Sequence, residues 1–262
     1  MDLQLAGKKV LVTGSTAGIG FATAREFAAE GASVVINGRT QERVDRAITE
    51  IRKLRPEAGL SGVASDVSNA AGCAKLVQAV AQADVLINNM GIFEPKPFEQ
   101  IPDADWLRLF EANVMSGVRL SRHYLWGMRQ KNWGRIIFVS SESAVQIPAE
   151  MIHYGMTKTA QVAVARGIAE SVAGTGITVN SVLAGPTRSE GVESFIAQMG
   201  GSGDSAAFEQ EFFKSIRPTS LLKRFETTDE VAHMIVYLSS PLASATSGAA
   251  IRADGGVVRA IL

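Results

Sequence analysis

Tyr154 and Lys158 stand four residues apart. If the stretch after His153 is helical, that spacing puts the phenol and the ammonium on one face, with Cβ atoms about 5–6 Å apart. A free tyrosine, with a pKa of about 10, is a poor base at neutral pH. An ammonium within about 4–6 Å favours the phenolate and eases proton transfer. Thirteen residues before Tyr154, Ser141 ends the apolar stretch IIFVSS, where its hydroxyl would hold the oxygen that gains or loses the proton. Alone, a tyrosine and lysine at this spacing read more readily as an amphipathic pair on a solvated helix, because the pattern is common by chance.

A second group of residues belongs to different chemistry. The apolar strand Lys9-Val10-Leu11-Val12-Thr13 runs into Gly14-Ser15-Thr16-Ala17-Gly18-Ile19-Gly20, and FATAREFAAE (residues 21–30) has the composition of a helix ended by Gly31. Strand, glycine turn and helix make a phosphate-binding context, because a helix N-terminus offers free N–H groups and the positive end of its dipole. The glycines fall as GxxxGxG, which is not the usual GxGxxG fingerprint. The next strand, SVVIN (33–37), ends without a carboxylate, and Arg39 follows nineteen residues after Gly20. A carboxylate there takes a ribose 2′-hydroxyl, whereas an arginine accommodates a 2′-phosphate, so NADP is expected over NAD. A solvated arginine beside a turn is the other reading of Arg39.

The elements that must position these groups alternate along the chain. Residues 41–55 are expected to be helical, 60–66 a strand ending at Asp66, and 85–89 a strand followed by Gly91. Asp66 suits either the adenine edge or the start of the next helix. One long helix is expected over 103–131 with Asn113 inside it, an unfavourable place for asparagine unless it binds something or opens the helix. Trp106, Leu109 and Phe110 read as packing residues. Strand 177–183 leads into Ala184-Gly185-Pro186-Thr187, a helix is expected over 228–238, and a last strand over 249–253. About seven strands alternating with helices argue for a parallel sheet covered on both faces. Residues 188–225, polar and carrying Gly200-Gly201-Ser202-Gly203, read as a substrate-covering lid within one domain spanning 1–262.

These motifs, in order and spacing, resemble a classical short-chain dehydrogenase/reductase over essentially the whole length. TGxxxGIG is carried by residues 13–20, and Asp66-Val67, the NNxG of Asn88-Asn89-Met90-Gly91, Asn113, Ser141 and YxxxK follow. The resemblance implies a doubly wound Rossmann-type three-layer sandwich and a catalytic tetrad of Asn113, Ser141, Tyr154 and Lys158. In it the tyrosine is the acid or base, the serine orients the substrate oxygen, and the lysine also holds the nicotinamide ribose. Asn113 positions a water linking Lys158 to solvent. It further implies NADP(H) contacts from Gly14, Ser15, Ala17, Gly18, Ile19, Gly20, Arg39, Asp66, Val67, Asn89, Gly91, Tyr154, Lys158, Gly185 and Thr187, with no metal. The chain departs from the family at Met90 (usually alanine), Ala184 (usually proline) and Ala17 (basic in many NADP-specific members).

Composition bounds the partners. Of the 262 residues 46% are hydrophobic, and 26 Lys plus Arg balance 26 Asp plus Glu, so no net field recruits nucleic acid or an anionic membrane. The single cysteine, Cys73, excludes an intrachain disulfide. The opening MDLQLAGKKVLVTGS does not have the pattern of a secretory signal, so a cytoplasmic setting is expected. A small carbonyl or alcohol substrate is expected, and the resemblance adds a homotetramer or homodimer. Glu142 and Arg188 are candidates to select a polar substrate, both expected to be exposed. A nucleotide-binding regulator without catalysis and a redox-neutral lyase or epimerase on the same fold are the alternative functions; an intact tetrad and glycine turn speak against them.

Overall fold

A computed structural model of the protein describes residues 1–189 and 205–261. Its centre is a seven-stranded sheet, every pairing parallel, in the order β3-β2-β1-β4-β5-β6-β7. The strands are β1 (Lys9–Val12), β2 (Ser33–Gly38), β3 (Leu60–Ala64), β4 (Val85–Asn88), β5 (Gly134–Ser141), β6 (Ile177–Ala184) and β7 (Ala250–Ala253). The order reverses between β1 and β4, which opens a crevice at the carboxyl ends of the strands, the place where open α/β sheets bind ligands.

Side-chain alternation explains why this sheet is covered twice. Val10, Val12, Ile36, Ile87, Ile137 and Val182 project into one core; Leu11, Val35, Leu86, Ile136, Phe138 and Val179 project into another. Strands apolar on both sides must be buried on both sides. Helices α1 (Gly18–Ala29) and α2 (Gln41–Leu54) close the first face through Phe27, Val44 and Ile51. Helices α3 (Ala70–Ala79), α5 (Ser116–Lys131) and α6 (Ile152–Ser171) close the second through Leu76, Leu120 and Ala165. Helix α8 (Thr228–Leu238) joins α1 on the first face, its start fixed by a capping box between Thr227 and Glu230.

The long helix expected over 103–131 is broken. It comprises α4 (Asp103–Phe110), a wide turn of π-helix at Glu111–Met115, and then α5. Asn113 lies in the middle of that turn, which accounts for its unfavourable place in a helical stretch; π-bulges often sit at functional sites. Leu109 is buried, Trp106 packs edge-on against Phe98 and His153, and Phe110 stays partly exposed. β3 ends at Ala64, two residues short of Asp66.

Of the segment expected to cover the substrate, Gly200-Gly201-Ser202-Gly203 lies outside the described residues. The described remainder holds α7 (Ser205–Glu211), which runs into a π-type turn at Phe212–Ile216. Phe212, Phe213 and Phe225 form a small apolar cluster there, with Phe208 and Ile216 against it. No helix among the described residues is long and apolar enough to cross a membrane.

Phe138, fully buried, fills the space under α5, where a Cβ on Gly117 would come within 2.6 Å of its ring. Replacing Phe138 with alanine is expected to lower the unfolding free energy by about 3–5 kcal/mol, measured by urea denaturation.

Candidate active site

The parallel register delivers the chemistry-bearing residues to one edge. Ser141 is the last residue of β5 and pairs with Ala184, the last of β6; Asn88 ends β4 opposite Phe138. Helix α6 begins at Ile152, so Tyr154 and Lys158 lie one turn apart on it, as their spacing requires. A cavity of about 530 Å³ opens at this edge, lined among others by Asn89, Ser141, Tyr154, Lys158, Gly185 and Thr187.

Within it, Lys158 Nζ donates to Val139 O at 2.9 Å, and the Ser140 hydroxyl donates to Lys158 O at 2.9 Å, which straps α6 to β5. Nζ lies 5.5 Å from the centroid of the Tyr154 ring, against which Phe93 packs edge-on with ring centroids 6.1 Å apart. Burial pushes Lys158 down to about 8, against the pull of the Glu142 carboxylate. Burial also pushes the Tyr154 phenol upward, and Glu142 adds to this, while the neighbouring Ser141 hydroxyl and the charge of Arg217 oppose it. This corrects the expectation that Lys158 favours the phenolate in the free protein. Desolvation dominates, so the resting phenol is held as an acid.

Asn113 is a brace in this arrangement. Its Oδ1 accepts from Ile92 N at 2.7 Å, its Nδ2 donates to Ile92 O at 2.9 Å and to Thr157 Oγ1 at 3.0 Å, and Gln161 Nε2 donates to its main-chain O at 2.7 Å. The wide turn thus clamps the segment after β4 to α6.

The glycine turn is shaped for a ligand with phosphate groups. Helix α1 starts at Gly18 with Ala17 before it, and no side chain caps its first N–H groups. Those donors are left for an anion. Gly14 has a positive φ of 60°, and a Cβ on Gly20 would lie 2.4 Å from Asn89 Nδ2 and 2.5 Å from Gly14 O. The turn is held from behind. Asn89 Nδ2 donates to Thr13 O at 2.9 Å and Gly14 O at 3.1 Å, and Asn89 N and Met90 N both donate to Thr13 Oγ1 at 3.0 Å. Asn37 does the same from β2, accepting from Gly14 N at 3.3 Å and donating to Ser65 Oγ at 3.0 Å. Ser15 closes the loop, its hydroxyl donating to Val12 O at 2.7 Å and accepting from Asn37 N at 2.9 Å.

Beyond the ends of β2 and β3, Arg39 is exposed and has no ion pair among the described residues. Asp66 is exposed and accepts from Ser68 N at 3.1 Å; the cap of α3 is Asn69, so Asp66 does not start that helix. The Val67 side chain is buried in the second core, which leaves only its backbone for a ligand. Gly91 brings the chain close to Lys158, a Cβ there lying 3.4 Å from Nζ. Ile19 lines the cavity. These residues fit a dinucleotide.

Two residues here, Arg217 and Glu226, carried no sequence signal, and Glu142, a candidate to select a polar substrate, is placed otherwise than expected. Glu142, expected to be exposed, is 4% exposed: it follows Ser141 in a short 3₁₀ turn, accepts from the Ser141 hydroxyl, and pairs with Arg217 at 3.0 Å. Arg217 itself lies in the part of the sequence read only as lid. Arg188 is exposed as expected, pairs with Glu209, and lies over the ring of Phe225, which lines the cavity. Glu226 is buried beneath the Gly185 turn, where Gly185 N donates to its Oε2 at 3.2 Å. Main-chain bonds from Glu226 N to Pro186 O and from Arg188 N to Glu226 O complete the seam. Burial pushes the Glu226 carboxyl up to about 8, Gly185 N pulling it back and Asp254 adding to the rise.

Comparison with known proteins accords with this geometry. Residues 14–258 match the family model described as Enoyl-(Acyl carrier protein) reductase. An uncharacterized oxidoreductase of Bacillus subtilis, YvaG, is 48% identical over 263 residues, covering 100% of both chains. A D-beta-hydroxybutyrate dehydrogenase of Cupriavidus necator is 32% identical, covering 97% of this chain and 99% of that one. Among solved structures, L-sorbose reductase from Gluconobacter frateurii, complexed with NADPH and L-sorbose, superposes with a TM-score of 0.92 at 30% identity, covering 100% of each chain.

Gly20→Ala is expected to push Asn89 off the turn and weaken NADPH binding by more than about tenfold, read by calorimetry with unchanged circular dichroism. Glu226 sets a pH dependence of stability. Its raised value means that the folded protein keeps a proton the unfolded chain has lost between pH 4.5 and about 8. Stability from this group is therefore complete below that window and declines as pH rises through it. Glu226→Gln is expected to flatten the decline in melting temperature between about pH 5 and 8.

Proposed function

The chain belongs to the classical short-chain dehydrogenase/reductase family, and from that premise we propose that it reduces a ketone or aldehyde, or oxidises the corresponding alcohol, with NADP(H) as coenzyme. The observation that carries this reading is the convergence of Ser141, Tyr154 and Lys158 on the cavity to which the glycine turn and the uncapped start of α1 also contribute. The nucleotide, when bound, supplies or accepts the hydride.

The chain's own residues handle the rest. Tyr154, held as a phenol by burial, is the group that gives its proton to the carbonyl oxygen in reduction and takes it back in oxidation. The Ser141 hydroxyl, anchored by Ser143 N at 3.1 Å, orients that oxygen. Lys158, near 8, changes protonation close to neutral pH and can restore the tyrosine's proton. The strap from Lys158 to Val139 and the Asn113 brace keep α6 and β5 in the positions this requires.

The preference for NADP(H) rests on Arg39 and on the missing carboxylate at the end of β2. The L-sorbose reductase, crystallised with NADPH, is consistent with it. The residues past β6 from 205 to 225 contribute Phe212, Ile216 and Arg217 to the cavity wall, which supports the lid assignment for residues 188–225 within a single domain. Assembly as a homotetramer or homodimer in the cytoplasm is the quaternary and cellular reading that goes with the family.

Absorbance-monitored oxidation of NADPH and NADH against a panel of ketones and aldehydes tests the proposal. Tyr154→Phe is expected to reduce turnover by about 10²–10⁴-fold with NADPH binding retained, and Arg39→Ala to erase a preference for NADPH over NADH. Full turnover in a folded Tyr154→Phe protein would refute it.

A further inference from the structure

The cavity wall opposite the nucleotide side carries a charged network that proton transfer at Tyr154 does not require. Glu142 Oε2 accepts from the Ser141 hydroxyl, and its Oε1 accepts from Arg217 Nε at 3.0 Å. Arg217 Nη1 in turn donates to Glu150 Oε1 at 2.9 Å and to Ile216 O at 3.1 Å. Ser141, Glu142, Glu150 and Arg217 all line the cavity. The remaining wall is largely apolar, with Phe93, Met151, Phe212 and Phe225.

Two consequences follow from the partners. Arg217 stands between two carboxylates, so it offers a substrate carboxylate no uncompensated charge; an anionic substrate would have to displace Glu142 or Glu150. The Ser141 proton is committed to Glu142 in the resting protein. When that hydroxyl turns to a substrate carbonyl, Glu142 Oε2 loses its donor inside a wall where it is almost fully buried. A plain ketone leaves it unpaired, which is costly. A hydroxyl on the carbon next to the carbonyl lies about one hydrogen-bond length from the carbonyl oxygen and supplies the missing donor.

We propose that Glu142 receives a substrate hydroxyl beside the reacting carbonyl, so that the preferred substrates are uncharged hydroxylated ketones or aldehydes. This deepens the oxidoreductase reading and rests on it. Glu142 is a specificity-determining residue that touches substrate, and Arg217, carried by the segment over the cavity, is a positioning residue that fixes which carboxylate oxygen faces the substrate.

The test uses three ligands of nearly one shape: 1-hydroxy-2-butanone, 3-pentanone and 2-oxobutanoate. Their binding is measured by calorimetry to the Tyr154→Phe protein loaded with NADPH, in which turnover is blocked. The hydroxyketone is expected to bind at least about tenfold more tightly than 3-pentanone, with 2-oxobutanoate weakest, because a site built to bond a hydroxyl rejects analogues that have none. Adding Glu142→Gln, whose amide oxygen is drawn to Arg217 and whose amide N–H₂ then faces Ser141, is expected to bring the first two within about threefold. A residue that merely positioned Ser141 would weaken both ketones alike and leave the ratio unchanged. Equal binding of the hydroxyketone and 3-pentanone before the Gln change, or tightest binding of 2-oxobutanoate, would overturn the proposal. Since the preference is read without turnover, it fails or holds separately from the redox reading, which falls only if the wild-type protein reduces no carbonyl.

Discussion

The site depends on the register of β5 between β4 and β6. Eight consecutive pairs with β6, from Gly134–Ile177 to Ser141–Ala184, and four with β4 fix where β5 ends. Because side chains alternate along a strand, a slip of one residue would turn Ser141 away and put Ile136 and Phe138 into the wrong core. That exchange is opposed by every apolar contact on both faces of the sheet. The position of one hydroxyl is thereby set by the burial of a whole strand.

From that fixed strand the other groups are placed by short links. Val139 O holds Lys158, Lys158 O takes the Ser140 hydroxyl, and the carbonyl of Asn113 takes Gln161 from the same helix. Each link satisfies a buried polar group that would otherwise be costly, so the site is rigid for the same reason that it is stable. On the opposite wall, Glu142 and Arg217 join the end of β5 to the residue that follows the π-type turn at Phe212–Ile216. Desolvation of Tyr154 and Lys158 moves the two groups in opposite senses, phenol up and ammonium down, which drives their proton affinities apart and makes return of a proton from the ammonium to a phenolate downhill.

Much of this was legible in the sequence because it rests on local periodicity. Strands such as VLVT and IIFVSS read as apolar on both faces, and the spacing of Tyr154 and Lys158 needs only a helix to bring them together. The glycines told of a close backbone approach, which Gly20 against Asn89 makes concrete. What stayed hidden was created by contacts distant in the chain. Glu142 looks like a surface residue until Arg217, 75 positions later, pairs with it. Glu226 has no motif at all and acquires its character from being packed under Gly185, 41 positions before it. The π-turn at Asn113 was half visible: a residue ill suited to a helix marked the place, while the geometry came from the two elements it clamps.

The central claim is that this cavity passes a hydride between a nicotinamide and a carbonyl carbon. The most direct measurement is to supply NADPH deuterated at the transferable position of C4, with a hydroxyketone as acceptor, and to analyse the product by mass spectrometry. One deuterium on the new carbinol carbon, and none left at that position of the spent nucleotide, is the expected result. Product formed without the label, or label retained in the nucleotide while the acceptor is consumed, would contradict the account.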